Sequence, residues 1–435
     1  GSVAGLLMAW RNYGSGNIPL EQLINPAIAL AKNGFTISAK FAQSLNNHRS
    51  LFKKNAAANK VFIRTDDLPW KADDMLIQNN LSKTLQQIAK YELDGFYGGK
   101  TAALIVEEMK DGNGLITLKD LKSYNPKLRE PIIGTYKNHG IVSMGPPSSG
   151  GILLVQMLNM LENYVLDSLD FNSTDYIHLL TEIERRAYAD RAEHLGDNDY
   201  WDVPIEMLIS KNYAHERARN ISTEKATPST EVFAGDRENY ESRETTHYSV
   251  IDKDGNAVSV TTTLNTGFGS GILVDGAGFF LNNEMDDFSA KPDTPNIFGL
   301  VGNKANAIAP FKRPLSSMTP TIVLKDDKPF IIIGSPGGST IITTVLQVIL
   351  NIIEFDMDIY KAVSAPRVHS QWLPDVIMME PEAIANAVQK ELESRGYEII
   401  LYKWGYIGSA NGILIKDDDY YGAPDPRWEN SAVGY

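Results

Sequence analysis

Apolar and polar positions recur with two different periods along this chain, and the change falls near residue 245. Upstream the pattern is helical. Tyr176, Leu180, Ile183 and Ala187 repeat at spacings of three and four, Ser173 or Thr174 stands where an N-cap belongs, and Gly196 closes the run. Downstream, alternation takes over. His247 to Ile251 and Ala257 to Thr263 flank Asp254-Gly255, the signal of a tight two-residue hairpin in which Lys253 faces Asn256 and Thr246 faces Thr263. Further strand pairs are predicted from Gly271 to Leu281 and from Thr321 to Gly334, the second turning at Asp326-Asp327-Lys328. Helices are expected over Ser339 to Ile353 and Glu382 to Arg395, the latter stopped by Gly396 ahead of a strand from Ile399 to Tyr402. Antiparallel strands framed by long helices predict a layered α+β fold rather than a βαβ array.

Between the two textures, Ser222 to Glu244 is polar and rich in breakers, which by composition is a linker or surface loop. The apolar stretch Thr340 to Ile353 is interrupted by Thr343, Thr344, Gln347 and Asn351 and falls short of the ~18 residues of a membrane span, so it reads as a buried helix. Composition narrows the function classes. Lys and Arg number 41 against 54 Asp and Glu, and a net charge of −13 is a poor match to nucleic acid. With no Cys among 435 residues, disulfides, thiol nucleophiles, iron–sulfur clusters and cysteine zinc sites are excluded. At 43% hydrophobic and 22% charged the chain has the composition of a folded protein, long enough for two or three domains or one large enzyme fold. Gly1-Ser2-Val3 carries neither an initiator Met nor a basic signal region, which suggests a processed, trimmed or partial chain.

The familiar nucleotide and hydrolase motifs fail. Gly95 to Thr101 resembles a P-loop, but Asp94 occupies the first glycine position and a helical pattern precedes it. There is no Gly-x-Ser-x-Gly elbow and no His-Glu-x-x-His, and Asp417-x-Asp419 has Trp428 where a calcium loop needs Glu. Asp417-Asp418-Asp419 reads as a solvated turn, and seven scattered His give a metal site no local support. What remains is a concentration of hydroxyls, amides, glycines and carboxylates after residue 244. Thr245 falls beside Thr263 at the far end of the hairpin, with Asn265, Asn282 to Asp287, Ser316-Ser317 and the loop Gly334-Ser335-Pro336-Gly337-Gly338 beyond. On residue types alone this is either a polar sheet face or a catalytic centre in need of a nucleophile.

Several ordered motifs decide between these. Glu244-Thr245-Thr246-His247-Tyr248-Ser249-Val250, Leu264-Asn265-Thr266, Asn282-Asn283-Glu284-Met285-Asp286-Asp287-Phe288, Arg313-Pro314-Leu315-Ser316-Ser317-Met318 and Gly334-Ser335-Pro336-Gly337-Gly338-Ser339 together resemble a bacterial γ-glutamyltranspeptidase. The likeness runs back through Pro146-Pro147-Ser148-Ser149-Gly150-Gly151 and Tyr188-Ala189-Asp190-Arg191, and forward to Ala365-Pro366-Arg367 and Asp425-Pro426-Arg427. It implies an N-terminal-nucleophile hydrolase: a four-layer αββα sandwich of two stacked antiparallel sheets flanked by helices. The precursor would cut itself between Glu244 and Thr245. Residues 1–244 would be the large-subunit portion and 245–435 the small subunit, both forming one sandwich domain and one heterodimer. The freed α-amino group of Thr245, with a reference pKa of about 7.7–8.0, would be the base that its hydroxyl needs.

By the same resemblance, Thr263 orients Thr245, Gly337 and Gly338 form the oxyanion hole, Asn265, Glu284 and Asp287 receive the donor's α-amino group, and Ser316 and Ser317 hold its α-carboxylate. The donor is glutathione or a similar γ-glutamyl compound, the acceptor water or an amino-acid or peptide amine. No cofactor or metal is implied, and the location is periplasmic or secreted. Hydroxyls alone are a thin match for a carboxylate. The family supplies an arginine from a region upstream of Gly1, so a protein starting at Gly1 is expected to be weakly active or inactive. The segment Pro292 to Gly302 resembles the family's lid, with Phe298 where relatives often place Tyr; a ring hydroxyl bond to Asn265 is thereby lost, and closure must rely on packing. Glu284 stands where some relatives have Gln. The alternatives are a β-lactam or capsule-processing acylase on the same fold, or an uncleaved, catalytically silent precursor.

Overall fold

The structure, a computed structural model, describes residues 1–233, 245–289, 291 and 294–434. The described chain divides into two compact units, one of residues 1–128 with 268–283 and one of residues 129–267 with 284–435. In the first, helices α1 (Leu20–Asn33), α2 (Asn79–Tyr91) and α3 (Gly99–Asp111) dominate. The segment 268–283 is held there by an aromatic cluster: Phe268 meets Phe52 edge-on at 4.9 Å between centroids, and Phe280 stacks on Phe62 at 5.1 Å. The Thr84 hydroxyl donates to the Ala277 carbonyl at 2.8 Å. Helix rather than strand precedes Gly95 to Thr101, so the P-loop likeness has no structural counterpart.

The second unit is a layered sandwich. Its central sheet contains β1 (Ile132–Tyr136), β2 (His139–Ser143), β5 (Thr321–Lys325), β6 (Lys328–Gly334), β10 (Asn411–Lys416) and β11 (Asp419–Ala423), in the order β11-β10-β6-β5-β2-β1, antiparallel throughout. The hairpin of β3 (Thr245–Ile251) and β4 (Ala257–Thr263) packs on β6 and β10. The Ser259 hydroxyl donates to the Ile333 carbonyl at 3.0 Å across the layers. Strand β6 is therefore covered on both sides, which explains why Ile331, Ile332 and Ile333 are all fully buried in an unbroken apolar run. A smaller sheet joins β7 (Val368–His369), β8 (Ile377–Met379) and β9 (Ile399–Leu401), with β8 and β9 parallel.

Helices α4 (Gly150–Leu161), α5 (Thr174–His194), α6 (Lys211–Ala218), α7 (Thr340–Ile353) and α8 (Asn386–Ser394) complete this unit. Every residue of α4 is buried, and α7 is buried except at its last residue, as an all-round apolar surface demands. Two amide side chains inside α7 donate to backbone carbonyls, Gln347 to Val368 at 2.8 Å and Asn351 to Ala362 at 3.1 Å. Ser173 is the N-cap of α5, its hydroxyl accepting from the Tyr176 N–H. The fold is thus the α+β sandwich expected, with helices, six-stranded sheet and hairpin as successive layers. No helix among the described residues is long and apolar enough to cross a membrane.

Four local expectations need correction. The hairpin loop is longer than two residues, because the Asp252 carboxylate accepts from the backbone of both Asp254 and Asn256 at 2.9 Å. That shifts the register by one: Thr245, not Thr246, lies opposite Thr263. Between Gly271 and Leu281 only an isolated Leu273–Phe280 bridge forms, since Gly271, Gly276 and Gly278 interrupt the pairing. The helix expected from Glu382 starts at Asn386, because Glu382 has φ of +63° and cannot lie in a helix. The turn at Asp326-Asp327 is as expected, both residues having positive φ. Of the polar stretch Ser222 to Glu244, residues 234–244 lie outside the described residues, but Ser229 is buried and its hydroxyl bonds to Arg185.

Candidate active site

The register places Thr245 at the first position of β3 directly across from Thr263, the last of β4. The Thr245 hydroxyl donates to Thr263 Oγ1 at 3.4 Å, and the same oxygen accepts the backbone N–H of Asn265 at 2.8 Å. Asn265 is buried with φ of +78°, so the chain turns sharply after β4 and brings the amide back toward Thr245. His247, two residues on, could be mistaken for the base. Its ring nitrogens instead meet the hydroxyls of Thr261 and Ser249 at 2.9 and 3.0 Å, and burial depresses its pKa to about 4. It is a neutral packing residue beneath Gly334, where an added Cβ would come within 2.3 Å of the ring.

One pocket gathers Thr245, Thr263, Asn265, Asp287, Phe298, Ser316, Ser317 and Gly338, joined by Arg191, Leu300, Leu315, Met318 and Ile341. Glu284 and Gly337 are not in its lining. Glu284 begins the short 3-10 turn that ends at Asp287, and Gly337 immediately precedes Gly338 in the loop between β6 and α7. Both glycines have positive φ, +142° and +57°. Neither N–H has an acceptor among the described residues, whereas the Gly337 carbonyl accepts from Thr340 N–H at 3.1 Å. Open N–H groups at the start of a helix form a natural seat for developing negative charge.

Both carboxylates near the pocket are harder to ionise than usual. Burial, and then the neighbouring Glu284, push Asp287 up to about 8. Glu284 is raised as well, by burial. A nearby cation favours the charged form of a buried carboxylate, so this pair suits a positively charged group. Opposite in chemical sense are the serines. Ser316 Oγ accepts from Met318 N–H at 3.1 Å, and Ser317 Oγ accepts from Arg191 Nη2 at 3.2 Å. With their lone pairs engaged from the protein side, their own protons are left to donate to an anion.

Phe298 is 5% exposed, and its ring sits where a Cβ on Gly338 would come within 2.6 Å. The segment carrying it is organised by Asn296, whose Oδ1 accepts from the N–H groups of Phe298 and Leu300 at 3.0 and 3.1 Å, and by Gln371, whose amide donates to the Phe298 carbonyl at 3.1 Å. In the lid-like segment, Pro292 and Asp293 lie outside the described residues, as does Glu244 of the expected cleavage junction. Arg191 and Ser149 belong to the Tyr188-Ala189-Asp190-Arg191 and Pro146-Pro147-Ser148-Ser149-Gly150-Gly151 motifs, neither of which implies a role for them in the site. Only the fold brings α5 and the start of α4 behind the serine pair.

The family described as gamma-glutamyltranspeptidase matches the chain over residues 1–435. The glutathione hydrolase proenzyme of Escherichia coli (strain K12) is 46% identical over 428 residues, covering 98% of this chain and 73% of its own. The glutathione hydrolase proenzyme of Pseudomonas aeruginosa is 42% identical over 431 residues, covering 98% and 75%. Among solved structures, cephalosporin acylase from Bacillus halodurans superposes with a TM-score of 0.82 over 99% of this chain and 78% of that one; at 23% identity this is a likeness of fold. Helicobacter pylori gamma-glutamyltranspeptidase matches 54% of this chain and 66% of its own at 42% identity and a TM-score of 0.52.

Proposed function

The chain belongs to the gamma-glutamyltranspeptidase family, and from that premise we propose that Thr245 is the nucleophile of a self-cleaving γ-glutamyl transferase and glutathione hydrolase. The observation that carries the reading is the single pocket in which Thr245 meets Thr263, Asn265, Asp287, the Ser316-Ser317 pair and Gly338. As written, the Thr245 nitrogen is an amide joined to Glu244 and cannot act as a base. Cleavage of that bond turns it into an amine, with a reference pKa of about 7.7–8.0. The pocket offers no competing imidazole, since His247 is held neutral and packed.

The donor enters as an α-amino acid zwitterion. Its ammonium is received by Asp287, Glu284 and Asn265, and its carboxylate by the hydroxyl protons of Ser316 and Ser317. Thr245 Oγ, oriented by Thr263, passes its proton to the α-amine and attacks the γ-carbonyl carbon. The resulting oxyanion is taken by the N–H groups of Gly337 and Gly338. Collapse expels the leaving amine, which takes the proton back from the ammonium, and the γ-glutamyl group remains as an ester on Thr245. Water or an amino-acid or peptide amine then gives a proton to the α-amine of Thr245 and attacks the ester carbonyl, and as the ester C–O bond breaks that proton passes to Thr245 Oγ, which regenerates the hydroxyl. The mature protein is two chains from one precursor, working in the periplasm or secreted. Phe298, packed on Gly338 within the lid, shields the ester without a ring hydroxyl.

The test is hydrolysis of γ-glutamyl-p-nitroanilide by wild-type protein and by Thr245→Ala. Wild type should release nitroaniline and yield a C-terminal fragment of 191 residues beginning at Thr245. The variant should stay whole and silent. A variant as active as wild type would end this reading.

A further inference from the structure

The hydroxyl pair is a weak partner for a carboxylate by itself, and the structure places a cation behind it. Arg191, near the C-terminal end of α5, is 4% exposed and lines the same pocket as Thr245. Its Nη2 donates to Ser317 Oγ at 3.2 Å and its Nε to Ser149 Oγ at 3.0 Å. Ser149 in turn donates to the Ser316 carbonyl at 2.8 Å through its hydroxyl and at 2.8 Å through its backbone N–H. The guanidinium thus braces both serines, one directly and one through Ser149.

What singles out Arg191 among the buried arginines is that it forms no ion pair among the described residues. Arg186 meets Glu182 at 2.7 Å, and Arg367 meets Asp425 at 2.8 Å. Among the described residues, the hydrogen-bond partners of Arg191 are two neutral hydroxyls, and the acid that acts on it, Asp287, is itself pushed up to about 8. A buried guanidinium without a counter-ion is costly unless an anion arrives to meet it.

Resting on the function proposed above, we infer that Arg191 is a positioning and donor-selectivity residue that turns the hydroxyl proton of Ser317 toward the α-carboxylate of the donor, holds the backbone of Ser316 in place through Ser149, and adds positive charge that favours a carboxylate there. The pocket thus presents both halves of a zwitterion site. Carboxylates await the ammonium, and a guanidinium one layer back awaits the carboxylate.

The experiment compares two donors on the self-cleaved enzyme: γ-glutamyl-p-nitroanilide and 4-aminobutanoyl-p-nitroanilide, the same donor without its α-carboxylate. Arg191→Met should raise KM for the first roughly 10- to 100-fold, the range of a lost charge-assisted hydrogen bond. Its kcat should change far less, and kcat/KM for the carboxylate-free donor should stay within about twofold. Arg191→Lys, which keeps the charge, should restore part of the loss. Ser149→Ala, which leaves the arginine in place, should raise KM for the γ-glutamyl donor several-fold, and it carries the test if Arg191→Met fails to fold or cleave. Equal losses on both donors would reduce Arg191 to a structural part, and unchanged KM in both variants would overturn the inference. A wild type inactive on γ-glutamyl-p-nitroanilide would instead refute the function itself, and this inference with it.

Discussion

Replacing Asp287 with Asn should destroy donor binding and stabilise the fold, and the stabilisation should depend on pH. Burial and then the neighbouring Glu284 raise Asp287 from its ordinary 3.8 to about 8. The folded state therefore binds a proton that the unfolded chain releases across that interval. A carboxyl raised in this way leaves stability highest below about pH 4 and erodes it as pH climbs toward about 8. The gap is roughly four units at about 1.36 kcal/mol each, or about 5–6 kcal/mol once both states are ionised. Asp287 keeps part of its surface open to the pocket. Solvent screening and relaxation there leave about half of that, ~2–3 kcal/mol. Asn has the same shape and no charge to desolvate. Urea unfolding of Thr245→Ala and of Thr245→Ala/Asp287→Asn, both single chains, is the assay. The double variant should be more stable by ~2–3 kcal/mol near pH 9 and by less than about 1 kcal/mol near pH 5. A gain independent of pH, or a loss at about pH 9, would refute the electrostatic reasoning.

The remaining predictions concern the same pocket and its support. Glu284→Gln removes the charge that helps to raise Asp287, so the acid limb of kcat/KM should become shallower and part of it should move to lower pH, leaving the Thr245 amine near its reference of about 7.7–8.0; an unmoved limb would mean Asp287 does not titrate in donor binding. Gly338→Ala puts a Cβ within 2.6 Å of the Phe298 ring at a φ of +57°. Steady-state kinetics should show kcat lower by about 100-fold through a displaced oxyanion donor. Arg427 spans Asp425 at 3.1 Å and both oxygens of Glu380, so Arg427→Leu leaves buried Glu380 without its cation, while Asp425 keeps Arg367, and should cost about 3–5 kcal/mol in denaturant unfolding.

The candidate residues were legible as short ordered motifs through their resemblance to a family, since residue types alone left a polar sheet face equally open, and the pocket brings Thr245, Thr263, Asn265, Asp287, Ser316, Ser317 and Gly338 together. Asp254-Gly255 marked where the hairpin turns but not how long its loop is. What was not legible depended on three-dimensional neighbours. The register error at Thr245 arose because Asp252 lengthens the loop with its own side chain, a competition that a two-residue turn rule does not register. Helix α5 reads as one-sided from Tyr176, Leu180, Ile183 and Ala187. Yet Glu182, Glu184, Arg185, Arg186, Asp190 and Arg191 on its other faces are buried too, because the unit covers it all round. Arg191 escaped notice for that reason: a charged residue on a helix is ordinarily a solvated one, and nothing in its spacing points to serines 42 and 126 positions away. The break at Glu382 is a left-handed residue that helix propensity does not reveal.

The central claim is that the Thr245 hydroxyl carries the γ-glutamyl group. Self-cleaved enzyme mixed with excess γ-glutamyl-p-nitroanilide, quenched in acid within the first turnovers and digested, should give a peptide beginning at Thr245 that is heavier by one γ-glutamyl group, with the ester localised to that residue by fragmentation. The adduct should vanish when an acceptor amine is added before the quench. Nitroaniline released in a burst with no adduct on Thr245, or with the adduct on any other residue, would contradict the account.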